Sequence, residues 1–162
     1  SIVSRGLIVT EKKYTEKTAL LNKLINEDVP ANQKEIAFAL SLGDLRENAE
    51  YKAAKEKQDE LNSKIAKLKN EIERAQIFDK STASTNKISF GTKVILLNLD
   101  TNNNETFTIL GPWESEPSNN IISYLSPFGK KLINHKVGDT LSFTINEKTF
   151  NYKVVKIDLA DI

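Results

Sequence analysis

The chain has no cysteine and no methionine among its 162 residues, one histidine, one tryptophan, six glycines and four prolines. Its charge nearly cancels, at +1 from 23 Lys/Arg against 22 Asp/Glu. Without cysteine there is no disulfide, no thiolate zinc site and no cysteine nucleophile. A single imidazole, His135, rules out a multi-histidine metal centre and any enzyme that needs two. The balanced charge excludes a histone-like basic binder and an acidic tail, so any nucleic-acid contact has to be local or helped by a partner. No run of about 18 apolar residues occurs, and the first residues offer only Arg5 and a short Leu7-Ile8-Val9 stretch. Neither a membrane span nor a secretory signal is therefore expected, and the expected location is the cytoplasm. The missing methionine and the start at Ser1 leave two readings, a removed initiator or a segment of something longer.

What is present is divided unevenly. Residues 1–80 hold 15 Lys/Arg and 14 Asp/Glu, and residues 81–162 hold 8 of each. Aromatics run the other way, with 4 in the first half and 8 in the second. Charge-rich and aromatic-poor sequence suits exposed helix, whereas aromatic and β-branched sequence suits a sheet. The join, Lys80-Ser81-Thr82-Ala83-Ser84-Thr85-Asn86, is small and polar. Two domains are expected, 1–80 and 81–162, within a length that suits one ordinary domain or two small ones.

In the first half, Tyr51, Ala54, Gln58, Leu61, Ile65, Leu68, Ile72 and Ala75 follow one another at alternating steps of 3 and 4, a heptad seam. With no Pro or Gly between Asp44 and Gly91, this predicts a helix of about 30 residues, roughly 45 Å long. Upstream, Thr10 can cap an earlier helix carrying Tyr14, Leu21, Leu24 and Ile25 on one side. Pro30 interrupts it, by starting a helix or forcing a kink, and Gln33–Leu42 resumes the pattern. Gly43 then stops it, since glycine readily takes the left-handed conformation at a helix end. Neither stripe can be buried alone, so the two helices must fold into an antiparallel hairpin with its turn far from the rest of the chain.

The second half alternates as strands do, over Lys93–Asn98, Thr106–Leu110, Ile121–Leu125, Thr140–Ile145 and Phe150–Ile157, with turn residues between. A short helix fits Pro127–Ile133, with Ser126 as its cap and Pro127 at the first helical position. The expected fold class is α+β: an N-terminal antiparallel coiled-coil hairpin, then a small antiparallel sheet with one helix packed on it.

The chemically informative stretch is Gly43-Asp44-Leu45-Arg46-Glu47-Asn48-Ala49-Glu50-Tyr51. Asp44 is a good N-cap residue, and Glu47 falls where a capping box places a Glu. The same spacing sets two carboxylates close together at a helix start, where they could hold Mg²⁺, which takes oxygen ligands and needs few from protein. Two ligands make a weak site, so the pair would matter only where another molecule supplied the remainder. Cap and metal ligand both remain open on spacing alone.

That stretch, with Ala53-Ala54-Lys55-Glu56 after it, resembles the tip motif of the bacterial Gre transcript-cleavage factors. Gly91, Ser126-Pro127-Phe128-Gly129-Lys130 and Gly138-Asp139 resemble their C-terminal domain, and the likeness runs from about residue 10 to 160. The resemblance implies a coiled coil followed by an FKBP-like domain, and binding to bacterial RNA polymerase with the hairpin in its secondary channel. It also implies DNA binding. The family's acidic tip residues fall on Asp44 and Glu47. They would help hold an Mg²⁺ shared with the polymerase, weakly or not at all in the isolated protein, for hydrolysis of the nascent RNA near its backtracked 3′ end. The chain would then be an accessory factor that stimulates the polymerase's own nuclease.

Arg46, Asn48 and Tyr51 would position RNA or the active site, with Arg46 standing where lysine is common in the family. Ser126, Pro127 and Phe128 would either dock on the polymerase or only cap the short helix. Near-zero charge favours the GreA type, which releases short fragments, over the more basic GreB type. Two other functions compete. One is a Gre-like inhibitor of the same channel, whose tip departs from Asp-x-x-Glu. The other is a prolyl isomerase, suggested by the FKBP-like fold, which needs an aromatic-lined pocket.

Overall fold

The computed structural model describes residues 6–43 and 48–162. The chain divides at Ala75/Gln76, whereas the change in composition lies near Lys80. Tyr14–Ala75 falls in a helical unit, while Leu7–Lys13 joins Gln76–Ile162 in a second.

In the helical unit one long helical run comes in three pieces: α1 (Glu11–Lys23), a wider π-helical turn (Leu24–Asp28) and α2 (Val29–Ser41). Thr10 caps the run as its sequence position suggests, its hydroxyl oxygen accepting the Lys13 N–H at 3.2 Å. Pro30 sits in the first turn of α2, as one of its two expected placements has it, and the helical run continues through it. Proline has no N–H to give to the preceding turn and its ring needs room there. The wider turn directly before it supplies that room, with the Val29 N–H reaching back to the Leu24 carbonyl.

The second helix, α3 (Ala49–Arg74), has 26 residues, about 39 Å at 1.5 Å per residue. Every position of the heptad seam is covered: Ala54, Leu61 and Leu68 are buried, and Tyr51, Gln58, Ile65, Ile72 and Ala75 half-buried. Leu24 packs on Leu61 and Leu68, with Leu21, Ile65 and Ile72 around them. Each such leucine contributes about 1.5–3 kcal/mol through burial. Nearer the turn the seam narrows to Ala39, Ala54 and Asn32. The Asn32 side chain, 2% exposed, donates from Nδ2 to the Ala54 carbonyl at 2.9 Å. A hydrogen-bonded polar group at a seam position fixes register, because a slip would strand it unpaired.

The second unit has a two-stranded parallel ladder, β1 (Ile8–Val9) with β2 (Gln76–Ile77), and a five-stranded sheet. Its strands are β3 (Thr92–Asn98), β4 (Asn103–Leu110), β5 (Ile121–Ser123), β6 (Thr140–Ile145) and β7 (Lys148–Leu159), in the order β5-β4-β3-β7-β6. The pairings are antiparallel except one: β5 runs parallel to β4. The expectation of a wholly antiparallel sheet is corrected there. The connection from Gly111 to Asn120 is no tight hairpin, and it passes through a 3₁₀ turn at Pro117–Asn119 that brings the chain back alongside the end of β4. The strand predicted from Thr106 begins at Asn103, because left-handed Asn102 closes a tighter turn than expected.

Alternate residues of these strands build one core: Val94, Leu96, Phe107, Ile109, Leu141, Tyr152 and Val154, closed by Leu132 of the short helix α4 (Pro127–Leu132). Gly129 lets α4 settle on β5, since a Cβ there would lie 2.0 Å from the Ser123 carbonyl oxygen. On the other side, the buried Glu114 carboxylate accepts the Thr10 N–H at 3.1 Å and the Gly111 N–H at 2.9 Å. Its negative charge thus meets the start of α1, where the helix dipole favours it.

Candidate functional site: the hairpin turn and an aromatic cavity

Of the residues expected to do chemistry at the turn, Asp44, Arg46 and Glu47 lie outside the described residues. Asn48 and Tyr51 are described, and they change one expectation. The N-cap of α3 is Asn48, not Asp44: the helix starts at Ala49, and Asn48 Oδ1 accepts the Tyr51 N–H at 3.0 Å. The same side chain also serves the other helix, Nδ2 donating to the Ala39 carbonyl at 2.6 Å. Ala39 is 1% exposed, and its carbonyl lies in the last turn of α2, where it takes this bond in addition to the one from the Leu42 N–H. One amide therefore closes the end of α2 and the beginning of α3.

That double role explains the residue type. Asp and Ser cap a helix about as well as Asn, but a carboxylate has no proton for the Ala39 carbonyl and a hydroxyl is too short to hold both partners. Two smaller bonds finish α2, the Ser41 hydroxyl to the Phe38 carbonyl at 2.5 Å and the Leu42 N–H to the Ala39 carbonyl at 3.1 Å. Gly43 follows with φ +106°, the left-handed conformation expected of it. The Tyr51 side chain is half-buried on the hairpin seam.

Ser126, Pro127 and Phe128 belong to the other unit. The Ser126 hydroxyl oxygen accepts the Gly129 N–H at 3.0 Å and its proton goes to the Ser123 carbonyl at 2.7 Å, so it does cap α4. Pro127 is exposed. Phe128 sits among four other rings, with centroids 5.0 Å from Phe107, 5.7 Å from Phe150, 5.8 Å from Phe143 and 6.1 Å from Tyr152. All three line an open cavity of about 970 Å³ between the start of α4 and the β6–β7 hairpin, within the size range of ligand pockets.

The cavity is a feature the sequence reading missed. Phe107, Phe150 and Tyr152 could be recognised as inward strand positions, but not as positions that border a cavity. At its polar side the Glu105 carboxylate accepts the Tyr152 hydroxyl proton at 3.1 Å and the Asn98 amide at 2.9 Å. Burial, with help from the Glu105 and Asp100 charges, pushes the Tyr152 hydroxyl far above the usual phenol range.

Among the described residues no three His, Asp or Glu side chains gather to hold a metal ion, and no helix is long and apolar enough to cross a membrane. His135 pairs with Asp139, Nδ1 to Oδ2 at 3.1 Å, on the surface.

The described residues thus give a two-helix hairpin closed by one asparagine, and a sheet unit with an open aromatic cavity. Residues 7–77 match the family model described as transcription elongation factor, N-terminal, and residues 83–159 that of transcription elongation factor, GreA/GreB, C-terminal. Transcription elongation factor GreA of Treponema pallidum is 48% identical over 161 residues, covering 99% of both chains. The GreA of Borreliella burgdorferi is 44% identical over 94% of this chain, a match that spans 17% of that longer protein. Among solved structures, GreA factor homolog 1 of Thermus thermophilus aligns over 95% of this chain and 99% of its own, at 24% identity and a TM-score of 0.44. The chain belongs to the GreA/GreB family of transcription elongation factors and is of the GreA type.

Proposed function

We propose that this chain inserts its helical hairpin into the secondary channel of RNA polymerase and stimulates cleavage of nascent RNA that has backtracked there. The observation that carries this reading is the retained Gly43–Tyr51 motif, with its Asp44 and Glu47 pair, directly between two helices that Asn48 ties together. Two side-chain carboxylates form a donor set of hard oxygens that suits Mg²⁺, and too few of them to hold it without the polymerase. When bound, that Mg²⁺ supplies a water activated for attack on a phosphodiester. Asp44 and Glu47 would hold it through anionic oxygens, and Arg46 would offer a guanidinium to an RNA phosphate. Asn48 keeps the two helix ends from separating under that load. Ser126, Pro127 and Phe128 form part of the surface on which the second unit docks.

The test is a stalled elongation complex carrying labelled RNA. Adding the chain should accelerate release of short 3′-terminal fragments and restore extension, and the chain without polymerase should cut nothing. Release at the unassisted rate would end the proposal. One observation favours a second reading: the sheet unit does have the aromatic-lined cavity that a prolyl isomerase requires. A proline-peptide isomerisation assay separates the two, and the expected outcome is no acceleration by the chain.

A further inference from the structure

Two carboxylates of the sheet unit, Asp100 and Glu105, line the aromatic cavity, and no lysine, arginine or histidine among the described residues comes within 4 Å of either. Glu105 is held in place by Tyr152 and Asn98, yet each of its oxygens has taken only one hydrogen bond and keeps a further acceptor position. The rings of Phe107, Phe128 and Phe150 line the same cavity.

We propose that this cavity receives an arginine side chain of the protein on which the unit docks, its guanidinium lying against the rings and bonding to Glu105. The proposal rests on the docking role given above to Ser126–Phe128. A cation on these rings already has a precedent inside the molecule: Lys148, which lines the same cavity, sets its Nζ 5.1 Å from the centre of the Phe150 ring.

The other occupants fit less well. An apolar side chain would strip water from Glu105 and leave its charge unanswered, which costs several kcal/mol. A phosphate would meet two carboxylates of its own sign. A lysine ammonium could pair with Glu105, but it is a strongly hydrated point charge. Arginine brings flat apolar faces to the rings and a row of donors to the carboxylate at once.

Titration of the full chain with N-acetyl-arginine amide, followed by NMR of the aromatic side chains, tests the cavity. Saturable shifts are expected at Phe128 and Phe150. N-acetyl-citrulline amide, the same shape without the charge, should bind about 10-fold more weakly or worse. Glu105→Gln, checked for an unchanged melting temperature, should erase the difference between the two. If that variant melts early, Lys148→Met replaces it, and the expected result is tighter arginine binding once the competing ammonium is gone. Equal binding of citrulline or of N-acetyl-leucine amide, or no saturable shift at the rings, overturns the proposal.

A second arm measures association with RNA polymerase, where Glu105→Gln should weaken binding about 10-fold. Equal binding of variant and wild type overturns the arginine assignment. Failure of the wild type itself to bind overturns the docking role instead, leaving the titration to judge the cavity alone. Concentration-dependent dimers of the free chain, abolished by Glu105→Gln, would assign the arginine to a second copy and overturn the partner named here.

Discussion

Replacing Asp44 by Asn and Glu47 by Gln together should abolish stimulated RNA cleavage while leaving the melting temperature nearly unchanged. The two effects separate because capping and metal binding ask different things of an oxygen. Asn and Gln remain hydrogen-bond acceptors, and in any case α3 takes its cap from Asn48. What the amides lose is charge, and a neutral oxygen is a poor ligand for a hard dication. Metal assistance in phosphodiester hydrolysis is worth several kcal/mol of transition-state stabilisation, so the stimulated rate should fall about 100-fold or more. The measurement is fragment release from a stalled complex at saturating factor, beside a thermal melt of the free protein. Undiminished cleavage by the double variant would remove the carboxylates from the mechanism. A melting temperature lowered in step with activity would instead assign them to the fold.

The second large effect is expected at Asn48, and it is one of stability. Asn48→Asp retains the acceptor for the Tyr51 N–H and so keeps the cap, but it loses the donor to the Ala39 carbonyl and sets a carboxylate against a partial negative charge. If Asn48 were only a cap, Asp would be an equal substitute. Because it bridges two helices, Asn48→Asp should cost about 1–3 kcal/mol in urea unfolding, at least as much as Asn48→Ser. Stimulated cleavage by Asn48→Asp should need a higher Mg²⁺ concentration for half its maximal rate, since the helix ends that carry the acidic pair are no longer tied. Wild-type stability for Asn48→Asp would mean that the 2.6 Å contact contributes nothing.

The helical hairpin was legible because its signal is local and repeated. Eight seam residues at steps of 3 and 4 define one face without reference to anything else, and all eight are covered. Thr10, Ser126 and Gly43 were legible for a related reason, as each satisfies or ends a helix within three residues of itself. Pro30 reads as an interruption because a proline is incompatible with the interior of a regular α-helix. The sequence holds no sign that a wider turn upstream would accommodate it. The cap of α3 was misplaced for a similar reason. Asp44 and Asn48 are both good caps by composition, and only the partner available to the spare amide group selects the second.

By itself, then, the sequence determined the two-part α+β organisation, the helical seam, the position of the turn and the short helix, together with the acidic motif between the helices. These depend on periodicity and on neighbours a few residues apart. Tertiary structure alone decided the direction of β5, the double duty of Asn48 across 9 residues to Ala39, and the bond from Tyr152 to Glu105 across 47. It also decided that part of the phenylalanine cluster borders an open cavity and is not wholly covered as core. An inward-facing ring is apolar either way, and whether it meets protein or solvent depends on what packs against it.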